Sequence, residues 1–225
     1  MIRFKKHPAL LTIIREFIAE KNERFNRELA DHLERKGIRD FPTWKLQQMP
    51  FISRLYTLNE WIEGDKTISG VPFRYGVEVS SRIQRLISDF IDPEKTRLDM
   101  VILFWEELFT NFEHLRVRFK ELAGGDLSDG ELSAVGEWQK SQYIQRFSLG
   151  EMDKTDLLEI FIGDEKKLNE MPTLDYEDDP ILLYFYQHLF KEIVSNGGGS
   201  LELSHLMVDE VQDLSPVELA VLLKT

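Results

Sequence analysis

Apolar positions recur along this chain in steps of three and four, and that helical period governs almost all of it. After His7-Pro8 come Leu10, Ile14, Phe17, Ile18, Phe25, Leu29 and Leu33. Pro8 suits a first helical turn and Gly37 a C-terminal stop, so the spacing predicts one long amphipathic helix, with Asn22 as the place for a break. The opposite face, Arg15, Glu20, Lys21, Glu23 and Arg24, reads as solvated. Asp40-Phe41-Pro42 is a turn, and two helical pieces follow, split by Pro50 and ending at Gly64. Period two occurs clearly only once. Val71, Phe73, Tyr75, Val77 and Val79 alternate, which predicts a strand or small hairpin near 71–79, with Pro72 placing it at an edge. Ser81-Arg82-Ile83-Gln84 then caps a helix carrying Ile83, Leu86, Ile87 and Phe90.

Asp92-Pro93 opens the most regular stretch. Leu98, Val101, Trp105, Leu108, Phe112, Leu115, Phe119 and Leu122 hold a/d spacing, the pattern of a coiled-coil-like helix with a seam for a partner. Thr110-Asn111-Phe112-Glu113 is also a capping box, which gives a second reading: two helices meeting near Thr110. Ser128-Asp129-Gly130-Glu131 caps the next helix, through Leu132, Val135, Trp138 and Ile144. Two antiparallel helices forming a projecting arm fit this pattern, as do ordinary core helices. A short helix starts near Asp153, with Leu157, Leu158, Ile160 and Phe161, and ends at Gly163. The acidic run Asp175-Tyr176-Glu177-Asp178-Asp179 has the chemistry to hold a cation or to mimic nucleic acid, but carboxylates also belong at the positive end of the helix that Asp179 caps and Pro180 begins. That helix, with Leu182, Leu183, Phe185, Tyr186, Leu189, Phe190 and Ile193, is apolar nearly all round and so predicts burial. Asn196-Gly197-Gly198-Gly199-Ser200 stops it. No lysine follows as a phosphate loop would require, so this stretch reads as a connector.

The net charge of −12 changes the picture of partners. Nucleic-acid binding is dominated by phosphate neutralisation, so strong general affinity is not expected of this chain alone. One basic cluster, Arg116, Arg118 and Lys120, has the chemistry to touch phosphates, though such a cluster is more often a solvated helix face. Cysteine is absent, which removes disulfides, thiolate metal ligands and thiol nucleophiles. No signal peptide or membrane-length apolar run is visible, and a cytoplasmic location is the expectation.

The chemistry concentrates near the C-terminal end. Leu206-Met207-Val208 is a short apolar run that ends in Asp209-Glu210-Val211-Gln212-Asp213, and Ser215-Pro216-Val217-Glu218 follows as an N-cap, a proline at the first helical position and a capping glutamate. An apolar strand delivering carboxylates at its carboxyl end, then a helix, is half of a nucleotide-binding unit. In such units an aspartate at the strand end holds Mg²⁺ and a neighbouring carboxylate activates the attacking water.

Asp209-Glu210-Val211-Gln212-Asp213 resembles the Walker B box, motif II, of UvrD/Rep-type superfamily 1 helicases, of the form D-E-x-Q-D. Ile2-Arg3-Phe4-Lys5, Gly70-Val71-Pro72-Phe73-Arg74 and Trp105-Glu106-Glu107-Leu108 resemble, more loosely, segments of the HelD branch, which includes ATPases that bind and recycle RNA polymerase. The resemblance implies a mainly α fold with a small β component. Residues 1–195 would form a helical accessory insertion, and residues 201–225 a truncated piece of a RecA-like α/β domain. It implies that Asp209 holds Mg²⁺, that Glu210 activates water for ATP hydrolysis, and that Gln212 and Asp213 couple nucleotide state to neighbouring motifs. The sequence contains no P-loop lysine motif. The chain is therefore expected to be a fragment of a longer motor, starting after the P-loop and ending just past motif II, and to be inactive alone. The partner expected is DNA for a helicase or translocase, or RNA polymerase for a HelD-like ATPase whose helical arm contacts protein.

Overall fold

The computed structural model describes residues 2–93, 95–110, 112–138, 178–190 and 214–223, and the fold is mainly helical. In chain order the helices are α1 (Ile2–Lys5), α2 (Pro8–Arg35), α3 (Thr43–Leu46), α4 (Phe51–Glu63), α5 (Val77–Ser88), α6 (Arg97–Thr110), α7 (Phe112–Ala123), α8 (129–138), α9 (Asp178–Phe190) and α10 (Pro216–Leu222).

Helix α2 runs 28 residues without a break at Asn22. His7 caps it, the ring Nδ1 accepting from the Ala9 amide at 3.1 Å, and Pro8 occupies the first turn, where its missing N–H costs nothing. Gly37, at φ +65°, ends it as expected, and the Ile38 amide returns to the Leu33 carbonyl. Pro50 separates α3 from α4 as its fixed φ requires.

Helix α9 is the buried centre. Ile181, Leu182, Tyr184, Phe185, Leu189 and Phe190 are all sequestered, and the helix packs against α2, α4, α6 and α10. This is what an all-round apolar helix must do to hide every face. Helix α5 lies on α2 and α4, and α7 lies on α2.

Two expectations are corrected. The predicted strand near 71–79 does not form. Ile68 and Val71 exchange backbone hydrogen bonds of 3.1 and 3.0 Å across a tight turn, with Ser69 at φ +56° and Gly70 at φ +76°, and this isolated bridge is all the pairing there is among the described residues. The alternating residues do not share a face: Val77 is 80% exposed and Val79 is buried. The reason is tertiary. Phe73 and Tyr75 meet Trp61 edge to face, with ring centroids 5.0 and 6.1 Å away, and Tyr75 also meets Phe41 at 5.4 Å. Trp61 Nε1 donates to the Val71 carbonyl at 2.8 Å. Extended backbone is thus held by an aromatic cluster instead of a ladder. Gly76 then starts α5 at Val77, four residues before Ser81.

The a/d seam is not open to a partner helix either. Helix α6 ends at Thr110 and α7 begins at Phe112, and Val101, Trp105, Leu108, Phe112, Leu115 and Phe119 are core residues buried within this unit. Only the seam's ends, Leu98 and Leu122, reach solvent. The first helix begins at Arg97, where Thr96 and Asp99 form a capping box: Thr96 N donates to Asp99 Oδ2 at 3.0 Å and Asp99 N donates to Thr96 Oγ1 at 3.2 Å. The Ser128–Glu131 box forms as read, with Ser128 N donating to Glu131 Oε2 at 2.8 Å. It opens α8, which buries Leu132 and Val135.

Candidate functional site

Asp209, Glu210, Gln212 and Asp213 lie outside the described residues, as does the glycine-rich stretch 197–199. What is described is the framework on which that acidic stretch ends. Ser215 caps α10 in the manner its sequence demands. Its Oγ accepts from the Glu218 amide at 3.2 Å, and its own amide donates to Glu218 Oε2 at 2.6 Å. These bonds to the Ser215 side chain and backbone hold the Glu218 carboxyl below its ordinary range, with the positive charge of Lys6 adding to the effect.

Helix α10 is only seven residues long, too short to stand by itself. It is held by burying Val217 and Val221 against α9 and α2. A polar tie fixes its far end: Gln187 Nε2, in the buried core of α9, donates to the Val221 carbonyl at 3.0 Å.

The same region contains a fully buried ion pair. Lys5 Nζ lies 2.7 Å from Asp178 Oδ1, and neither side chain has any exposed surface. It joins α1 to the first residue of α9. In the sequence Asp178 stands in an acidic run that suits either a cation or the positive end of a helix, and nothing there joins it to Lys5. Burial of a lysine leaves no periodic signature when it occurs in a four-residue helix. Asp179, its neighbour, is exposed.

The basic residues that would have marked a nucleic-acid face are engaged by carboxylates. Arg118 forms a two-pronged pair with Glu16, at 2.6 and 2.8 Å, and a further contact of 2.8 Å with Glu121. Those hydrogen bonds, Glu16 first, push its guanidinium further toward permanent charge and hold the Glu16 carboxyl low. Arg116 pairs with Glu113 at 2.9 Å, and Lys120 with Asp129. Lys5 is spent on Asp178.

Two features escaped the sequence reading altogether. Arg54 is 3% exposed, with its guanidinium 5.6 Å from the ring centroids of both Phe25 and Phe51. It donates to Asn22 Oδ1, and burial alone pulls its pKa down to about 10. The second is a groove of about 610 Å³ between α4, the start of α6 and the end of α9. Lys66, Lys95 and Arg97 line it, three cations scattered over thirty-odd positions of sequence and so invisible as a cluster.

Among the described residues no group of three or more histidines and carboxylates is placed to hold a metal ion. No helix among them is long and apolar enough to cross a membrane. No protein-family model matches the chain, and no curated protein and no solved structure matches it significantly.

Proposed function

We infer that this chain is part of an ATP-dependent superfamily 1 motor of UvrD/Rep type, acting in the cytoplasm on DNA as a helicase or translocase. The observation that carries the reading is the order Asp209-Glu210-Val211-Gln212-Asp213 followed by a capping box at Ser215–Glu218 that closes as its residues dictate. Carboxylates running straight into a capped helix are what a nucleotide-hydrolysing unit needs at its strand edge. On this reading Asp209 would hold Mg²⁺, Glu210 would take a proton from the attacking water, and Gln212 and Asp213 would relay the state of the nucleotide. Mg²⁺-bound ATP supplies the phosphoanhydride to be cleaved. The 225 residues hold no G-x-x-x-x-G-K-[ST] motif, so on this reading the P-loop lysine and the arginine fingers are supplied by other parts of the motor.

The test is ATP turnover by the product of the complete reading frame. Glu210→Gln removes the base and should lower kcat by about 10²–10⁴-fold while leaving nucleotide binding in place. Turnover indifferent to Glu210→Gln, or no turnover at all, overturns the reading. The 225-residue chain by itself should show no measurable ATPase, and a turnover there that disappears in Glu210→Gln would sink that claim.

One observation favours a second reading. Arg116, Arg118 and Lys120 are each engaged by a carboxylate, which leaves the α7 surface poorly suited to grip a phosphodiester backbone. That suits a HelD-like ATPase whose helical insertion contacts RNA polymerase. Stimulation of the same turnover by RNA polymerase and not by single-stranded DNA would select it.

A further inference from the structure

The groove between α4, α6 and α9 brings cations to one cleft. Many cations of the molecule are matched with carboxylates, Lys21 with Glu107, Lys36 with Glu78, Arg74 with Asp40 and Arg118 with Glu16, while others, such as the exposed Arg27, Arg39 and Arg85, have no such partner among the described residues. Here Lys95 and Arg97 stand exposed on the groove wall, two residues apart, with no carboxylate within salt-bridge distance among the described residues. Arg97 lies over the Phe190 ring, 5.4 Å from its centroid, a contact that holds the guanidinium without neutralising it. Lys66 also lines the groove, its charge matched there by Glu60, which lines it too. On the α6 side Asp99 accepts from the amide and hydroxyl of Thr96 at 3.0 and 2.6 Å while its negative charge still faces Lys95.

The remaining lining supplies neutral donors. Tyr56, Thr57 and Gln48 border the groove, and the Tyr56 hydroxyl donates to the Lys95 carbonyl at 3.3 Å, which steadies the 95–97 segment. Two cations without a salt-bridge partner among the described residues, and several hydroxyl and amide groups, around a cleft of small-molecule size make a receptor for a phosphate-bearing ligand. Guanidinium and ammonium bind phosphate oxygens through charge-assisted hydrogen bonds, and the guanidinium takes two at once. We propose that this groove binds the phosphate of a nucleotide or of a nucleic-acid strand, with Arg97 and Lys95 as its principal contacts. The inference is independent of the ATPase reading, because it uses none of the residues from Asp209 to Asp213.

Isothermal titration of the 225-residue chain in low salt with EDTA tests it, since chelation removes any Mg²⁺-dependent binding near Asp209. The probes are inorganic pyrophosphate and a single-stranded oligothymidylate. Arg97→Gln and Lys95→Gln should each weaken binding about tenfold. Lys120→Gln, outside the groove, should change it less than twofold. Both groove side chains are exposed, and far-UV circular dichroism checks that the variants stay folded. Binding of pyrophosphate with that pattern assigns a nucleotide-sized site, and binding of the oligonucleotide alone with that pattern assigns a strand. No binding of either probe, or binding that the groove variants leave intact, overturns the proposal.

Discussion

Asp178→Asn is the sharpest perturbation this structure offers. The substitution keeps the shape of the side chain and removes one charge from a pair 2.7 Å apart with no solvent access on either side. At an effective dielectric constant near 20 the Coulomb attraction at that distance is about 6 kcal/mol. Desolvating two charges offsets most of it, so the net worth of the pair is small. Removing one partner is a different matter. The Lys5 ammonium would remain in the interior without its counter-charge, which costs about 3–5 kcal/mol. For a chain of this size that corresponds to a drop of about 10 °C in Tm. Urea denaturation followed by tryptophan fluorescence measures it, and a cycle with Lys5→Met separates the two effects. Each single variant should lose about 3–5 kcal/mol, while the double variant Lys5→Met/Asp178→Asn should lie within about 2 kcal/mol of the parent. Single variants within 1 kcal/mol of the parent, or a double variant as unstable as the sum of the two, would refute the reasoning.

Other outcomes follow from single contacts. A Cβ at Gly136 would sit 2.6 Å from Cδ1 of the buried Phe112 ring, so Gly136→Ala should destabilise by about 1–3 kcal/mol and Phe112→Leu should recover part of that loss in the double variant; urea midpoints decide it. Ser215→Ala removes the oxygen that accepts from the Glu218 amide and should cost about 1 kcal/mol, read as a lower urea midpoint at pH 7. His32 is buried, and desolvation first, then the charges of Arg35, Arg82 and Lys36, depress its pKa below the ordinary value of 6.5. The unfolded chain therefore binds the proton more readily than the native one. The stability due to His32 is complete above pH 6.5 and falls as the pH drops below it. His32→Leu should flatten that part of the stability profile; an unchanged slope between pH 6.5 and 5 would show that the ring titrates normally.

Helices were legible in this sequence wherever a local code sufficed. Pro8 and Gly37 bracket α2, and the Ser128–Glu131 and Ser215–Glu218 boxes each open the helix they announce, because a cap is a contract between residues three apart. The all-round apolar run from Ile181 to Phe190 announced its own burial. Period two at 71–79 misled because alternation reports only which residues are apolar, and here the aromatic side chains of Trp61 and Phe41 took the place of a neighbouring strand. The a/d seam misled for a related reason. Spacing shows that a helix has an apolar stripe and not whether a partner or the chain's own α2 and α9 will cover it. Lys5 and Asp178 are 173 positions apart, and no periodicity could have joined them. The proposed catalytic residues were visible only as a motif, Asp209 to Asp213, outside the described residues.

The way the fold spends its cations constrains which partner it can serve. A protein gains affinity for a phosphodiester backbone by releasing counterions from the phosphates it neutralises. A cation already held by a carboxylate must give up that pair before it can do so. Arg3, Lys5, Lys21, Lys36, Lys66, Arg74, Arg116, Arg118 and Lys120 are all in such pairs. With a net charge of −12 beyond that pairing, the mean field of the chain repels nucleic acid at long range. Any DNA contact made here must be short-ranged and local, and the 95–97 wall is one place where two positive charges have no carboxylate partner among the described residues. A salt titration reads this directly. Contact through Lys95 and Arg97 alone predicts a slope of log K against log salt of about −1.4 for a single strand, because two phosphates are neutralised. A slope several times steeper would mean that ion pairs such as Arg118–Glu16 open on binding, and that the surface presented to nucleic acid differs from the one the free protein shows.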